Sequence, residues 1–129
     1  MHPNYQALID FSVGSLASQS KFPSEPYKYI CSNGARCIIG LLLPERIIDT
    51  LDNRSIGYDE LNTEALKYIS ITFGLPNTKV LANVLSNMQI TFDIKCKEYK
   101  NDFDSFLVMY KQLIEKYIER VTKYESFSV

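Results

Sequence analysis

The chain has 129 residues, 46% of them apolar, and sets 14 basic side chains against 15 acidic ones for a net charge of −1. That length suits one domain, residues 1–129, with core enough to fold without disulfides or metal, and the charge balance argues against a strongly basic nucleic-acid binder or an acidic DNA mimic. No run reaches the roughly 20 apolar residues of a membrane helix, no basic-then-apolar leader opens the chain, and the cysteines number three, an odd count; together these point to a reducing cytoplasm and no membrane attachment.

In chain order, Tyr5, Leu8, Ile9, Ser12, Val13 and Leu16 recur at three- and four-residue spacing, which predicts a helix over about 4–19. The stretch 18–26, polar and carrying Pro23 and Pro26, breaks it, because residues before proline are pushed out of the α region. Tyr27 to Cys31 then alternates like a strand, Asn33-Gly34 gives a type I′ turn signal, and Arg36 to Ile39 returns, so the sequence predicts one small β-hairpin over about 27–39 lying on the helices. A helical turn over Gly40 to Leu43 leads to Pro44, a first-turn proline, and to a short helix over about 44–52.

The loop from Asp52 to Tyr58 precedes a helix over about 62–73, with Leu66, Ile69 and Phe73 inward and Gly74 as its stop. Asn77-Thr78 caps the next, about 78–98, with Val80, Leu81, Val84, Leu85, Met88, Phe92 and Cys96 on one face. Asn101-Asp102 opens the longest, about 102–124, whose stripe runs Phe103, Phe106, Leu107, Tyr110, Leu113, Ile114, Tyr117, Val121 and Tyr124. At 1.5 Å per residue that helix would be roughly 35 Å long, enough to offer its end to a second subunit and form a homodimer. The fold class is therefore mainly α: about five helices, one β-hairpin and a long C-terminal helix.

The motif residues carry a likeness of their own. Tyr29, Cys31, Gly34, Arg36, Cys37, Ile39, Gly40, Leu42, Leu43, Pro44 and Glu45 resemble the Cys, Gly-x-Lys/Arg-Cys, Ile/Val-Gly, Leu-Ile-Pro-Asp/Glu pattern of a family of small, largely uncharacterised bacteriophage and bacterial proteins. Val13, Leu16 and Gln19 resemble the helix that precedes the motif in that family, and Leu85 to Asp93 resembles its Leu-x-x-Leu-Gln-x-x-His-Asp segment, with Phe92 where the family has His. The resemblance implies a phage or mobile-element origin, carries no agreed activity, and leaves the C-terminal helix largely outside it.

Taken as chemistry, Cys37 beside Arg36 and near a helix start has some features of an activated thiol, but the one histidine, His2, stands at the chain terminus, and a buried apolar role for Cys37 is the preferred reading. Cys31 and Cys37, five residues apart with Cys96 remote, lack the spacing of a zinc site, and a disulfide across the hairpin suits the geometry better than the compartment. No glycine loop has nucleotide-binding spacing. The acids Asp49, Asp52, Asp59, Glu60 and Glu64 could face a hard cation, yet acids at helix starts and in loops need no ligand to explain them. Lys95, Lys97, Lys100 and Tyr99 form a small basic, aromatic cluster diluted by Asp93, Glu98 and Asp102, which argues against nucleic acid.

With no assembled catalytic set, the sequence favours stoichiometric protein binding: a phage-like inhibitor or adaptor that docks on a bacterial host or defence protein, without a cofactor or metal. Tyr is favoured at protein contacts, and the surface is placed at Tyr110, Lys116, Tyr117, Arg120 and Tyr124. Two alternatives use another region: a small hydrolase or nucleotide-acting enzyme built on Arg36 and Cys37 with the acidic loop, or a nucleotide-signal or nucleic-acid module reading through Arg36, Arg46 and Arg54.

Overall fold

A computed structural model describes residues 1–23, 29–50 and 63–123. Within them lie five helices: α1 Pro3–Gln19, α2 Glu45–Thr50, α3 Thr63–Phe73, α4 Lys79–Glu98 and α5 Phe103–Val121. The mainly helical expectation holds, with bounds close to those read from periodicity. The expected β-hairpin does not form: among the described residues there is no strand, only an isolated antiparallel bridge between Ile30 and Arg36.

Several helix ends have a local cause, although Thr78, expected with Asn77 to cap α4, makes no side-chain cap bond. His2 caps α1, its Nδ1 accepting from Asn4 N at 3.1 Å, so the terminal histidine has a structural partner. The other end stops at Ser20, which takes a left-handed φ of 59°. At α3, Gly74 adopts φ 64°, Leu75 N donates to Ser70 O at 2.9 Å and Gly74 N to Ile71 O at 3.4 Å. That is the paired closure in which glycine at the first non-helical position returns two orphan carbonyls to donors. Asn4 Nδ2 adds a bond to Gly74 O at 2.8 Å, fixing the end of α3 to the start of α1. Asp102 caps α5 by accepting from Ser105 N at 3.1 Å.

The core is one continuous cluster in which α4 and α5 pack on each other, α5 on α1, and α3 on α1 and α4. Its centre is aromatic. Phe106 meets Phe92 edge-on at 5.7 Å and Phe22 at 5.1 Å, and stacks on Tyr110 at 5.5 Å, the offset and T-shaped geometries that the ring quadrupole prefers. Because the apolar stripe of α5, Phe106, Tyr110, Ile114 and Ile118, is fully buried between α1 and α4, it is spent inside the chain. At 19 residues the described helix is about 28 Å long, and the end of its expected span, at Tyr124, lies outside the described residues.

The segment 29–44 fills the remaining flank of the core without regular structure. Gly34 N donates to Cys31 O at 2.9 Å, Cys31 N to Ala35 O at 2.9 Å, and Cys37 N to Tyr29 O at 3.2 Å. Gly34, with φ 82°, holds the left-handed position alone; Asn33 does not share it, so the turn is a three-residue connection and not type I′. Asn33 instead uses its side chain, Oδ1 accepting from Ala35 N at 3.0 Å and Nδ2 donating to Phe22 O at 3.1 Å. Past Cys37 the chain coils at once: Leu41 N donates to Cys37 O and Leu42 N to Ile39 O, three residues earlier than the turn expected at Gly40. A returning strand would need alternating faces, whereas Cys37, Ile38 and Ile39 are all buried in succession. Gly40 lies against the Tyr29 backbone so closely that a Cβ there would strike the Tyr29 carbonyl oxygen.

Candidate functional site

The residues expected at a contact surface on α5 separate into three groups. Tyr110 is not at the surface: it is fully buried, its hydroxyl donates to Met88 O at 2.8 Å, and burial pushes its phenol well above the ordinary range. Its position in the stripe, one turn beyond Phe106, turns it inward, and its hydroxyl is satisfied there by a carbonyl of α4. Lys116 and Arg120 are exposed, and the Arg120 guanidinium lies 5.5 Å from the centroid of the half-buried Tyr117 ring. Tyr124 lies outside the described residues.

Of the alternative set, Arg36, Cys37 and Arg46 fall among the described residues. Arg36 Nη1 donates to Gly40 O and Leu43 O, each at 3.2 Å, so its guanidinium closes carbonyls of the coiled segment. Its backbone is clamped by a residue 17 positions away: Arg36 N donates to Gln19 Oε1 at 2.7 Å and Gln19 Nε2 to Arg36 O at 3.0 Å. Gln19 thus supplies the two hydrogen bonds that a neighbouring strand would have given.

Cys37 is 3% exposed and its thiol is pushed up to about 12, burial being the main cause. A thiol so placed is protonated at neutral pH and closed to solvent, which argues against the nucleophile reading, since the thiolate is the attacking species. Cys31 is buried and Cys96 half-buried, and none of the three cysteines is in a disulfide. The register pairs Cys31 with Ala35 and Cys37 with Tyr29, so the two cysteines stand diagonally and not opposite across the turn.

Arg46 is exposed on α2 with its guanidinium 5.8 Å from the Tyr68 ring centroid. Arg54 lies outside the described residues, as do Asp52, Asp59 and Glu60 of the acidic loop; Asp49 and Glu64 are exposed. Among the described residues no three His, Cys, Asp or Glu side chains are placed to hold a metal ion, and no helix is long and apolar enough to cross a membrane. In the basic cluster Lys95 is paired with Glu98 at 2.8 Å.

The described residues line concavities on the surface. One, about 410 Å³, lies between the end of α1 and the start of α5 around Ser20, Asn101, Asp102 and Asp104. Of its two carboxylates, Asp102 is engaged as the α5 cap, and the bonds from Ser105 hold it below the ordinary value. Another, about 280 Å³, is apolar and lies between α1, α3 and the 41–44 stretch, with Phe11, Leu41, Pro44, Tyr68 and Phe73 in its wall.

Phe11 is 50% exposed although it meets the Phe73 ring edge-on at 5.6 Å, and Ile71, next to wall residue Thr72 on α3, is 70% exposed. Sequence reasoning missed this groove. The available signal was two large apolar residues off the helical stripes, Phe11 in α1 and Ile71 in α3, which inward-facing patterns leave without a core role. No family model, curated protein or solved structure matches this chain.

Proposed function

We propose that the chain works by stoichiometric binding to another protein and that the contact surface is the apolar groove between α1, α3 and the 41–44 stretch. The observation that supports the reading is the groove with half-exposed Phe11 in its wall and Arg46 over the Tyr68 ring of that wall, while Ile71, largely exposed, precedes wall residue Thr72 on α3. Contiguous apolar surface with aromatic and arginine side chains is the composition that concentrates binding energy at protein contacts. The sequence resemblance supplies the class of partner, a host or defence protein of a bacterial cell, and the role of inhibitor or adaptor. Lys116, Tyr117 and Arg120 on α5 form the competing surface.

The test is complex formation from bacterial lysate, followed by mass and stoichiometry of the isolated complex. Phe11→Ser with Ile71→Asp is expected to abolish a one-to-one complex that Lys116→Glu with Arg120→Glu leaves intact, both double variants being checked for native helix content. Loss through the α5 pair alone would move the surface to that helix. A retained nucleotide with no protein would refute the binding role and return attention to the arginines.

A further inference from the structure

Gln89 and Asp93 stand one turn apart on α4, in the segment that packs on α5. Gln89 is 5% exposed, its Nε2 donates to Asp93 Oδ1 at 2.9 Å, and its Oε1 is buried with no hydrogen-bond partner. A buried amide oxygen without a donor is unfavourable. A neighbouring carboxylic acid can supply the missing donor. Its carbonyl accepts from the amide N–H while its O–H donates to the amide oxygen, closing a ring of two hydrogen bonds; the observed contact supplies one side of that ring.

We propose that Asp93 keeps its proton in the folded protein under conditions where an exposed aspartate has lost it, and donates it to Gln89 Oε1, forming an amide–acid pair on α4 that opens as pH rises. The surroundings favour this. On its own helix Asp93 faces Cys96 and, one turn on, Lys97; Cys37 approaches from the 29–44 segment and Tyr110 from α5. Burial keeps both thiols and the phenol neutral, Cys37 and Cys96 being pushed up to about 12, so Lys97 is the one cation in this group. Burial raises Asp93 from 3.8, against the lowering effects of the Gln89 N–H and Lys97.

The direction of linkage follows. With the folded value above the unfolded one, the pair's contribution to stability is complete below the unfolded value and is lost as pH rises through the folded value. The pair is thus a proton-dependent element on the helix that carries the aromatic core.

Titration of the aspartate side-chain carbonyl carbons by NMR in the full chain reads it directly, the Asp93 signal being assigned by its disappearance in Asp93→Asn. The expected midpoint lies above the ordinary 3.8, and Gln89→Leu is expected to lower it, because the acid loses its acceptor. A midpoint at or below the ordinary value overturns the proposal, as does a rise in Gln89→Leu, which would mean that Gln89 serves the ionised carboxylate. Asp93→Asn gives a second reading, since its amide can donate to Oε1 and accept from Nε2 at every pH. Its urea midpoint at neutral pH should exceed the parent's and vary less with pH; a lower midpoint would make the carboxylate the native form and refute the pair.

Discussion

At the α4–α5 contact the chain is held by shape, with Phe92, Phe106 and Tyr110 in edge-on and stacked contact and one carbonyl taking the Tyr110 hydroxyl. The 29–44 segment is as deeply buried at Cys37, Ile38 and Ile39, yet it is held by directed bonds: Gln19 to the Arg36 backbone, Arg36 to two carbonyls, Asn33 to Ala35 and Phe22. The difference lies in the backbone. A helix satisfies its own N–H and C=O groups and needs only apolar side chains to find its place, while an irregular buried segment must borrow donors and acceptors from elsewhere in the sequence. The residues Tyr29 to Leu43 fall in the second region, where Arg36 bonds the Gly40 and Leu43 carbonyls and Gly40 N donates to Cys37 Sγ.

Substitutions can break this contrast. The largest loss is expected from Phe106→Ala, which removes a ring contacting Phe22, Phe92 and Tyr110 and should cost about 4 kcal/mol in denaturant unfolding, through lost burial and the cavity left behind. Gly40→Ala adds one methyl group, but against the Tyr29 carbonyl, and the backbone must move to admit it; a loss of about 3 kcal/mol is expected, far above that of an exposed glycine replaced in the same way. Gln19→Leu keeps the side-chain bulk while stripping Arg36 N and O of their partners, and should cost about 2 kcal/mol. If Gln19→Leu proved neutral while Phe106→Ala remained costly, the segment would owe its place to apolar burial after all, and the two regions would not differ in kind.

The helices were legible because their signals are local and repeated. The α1 stripe, the Gly74 stop, the Asp102 cap and the α5 stripe each depend on neighbours within a few residues, and the structure places them close to where periodicity put them. The groove at Phe11 was legible only as a residue off the stripe, since exposure depends on what the rest of the chain leaves uncovered. The misplacement of Tyr110 has the same origin. A tyrosine in an apolar stripe fits both a core and a contact surface, and only the Met88 carbonyl across the helix pair decides for the core.

The sequence by itself determined the helical class, the positions of most helix ends and the sharp turn at Gly34, because hydrophobic period, capping residues and glycine conformations act over one or two turns of chain. The tertiary structure decided that the turn has no strands to join, that Arg36 spends its charge on carbonyls and its backbone on Gln19, and that Cys37 is sealed from solvent. The Arg36 backbone clamp and the inward place of Tyr110 depend on groups brought together from 17 or more positions apart, Gln19 with Arg36 and Met88 with Tyr110, and such partnerships leave no mark on local spacing.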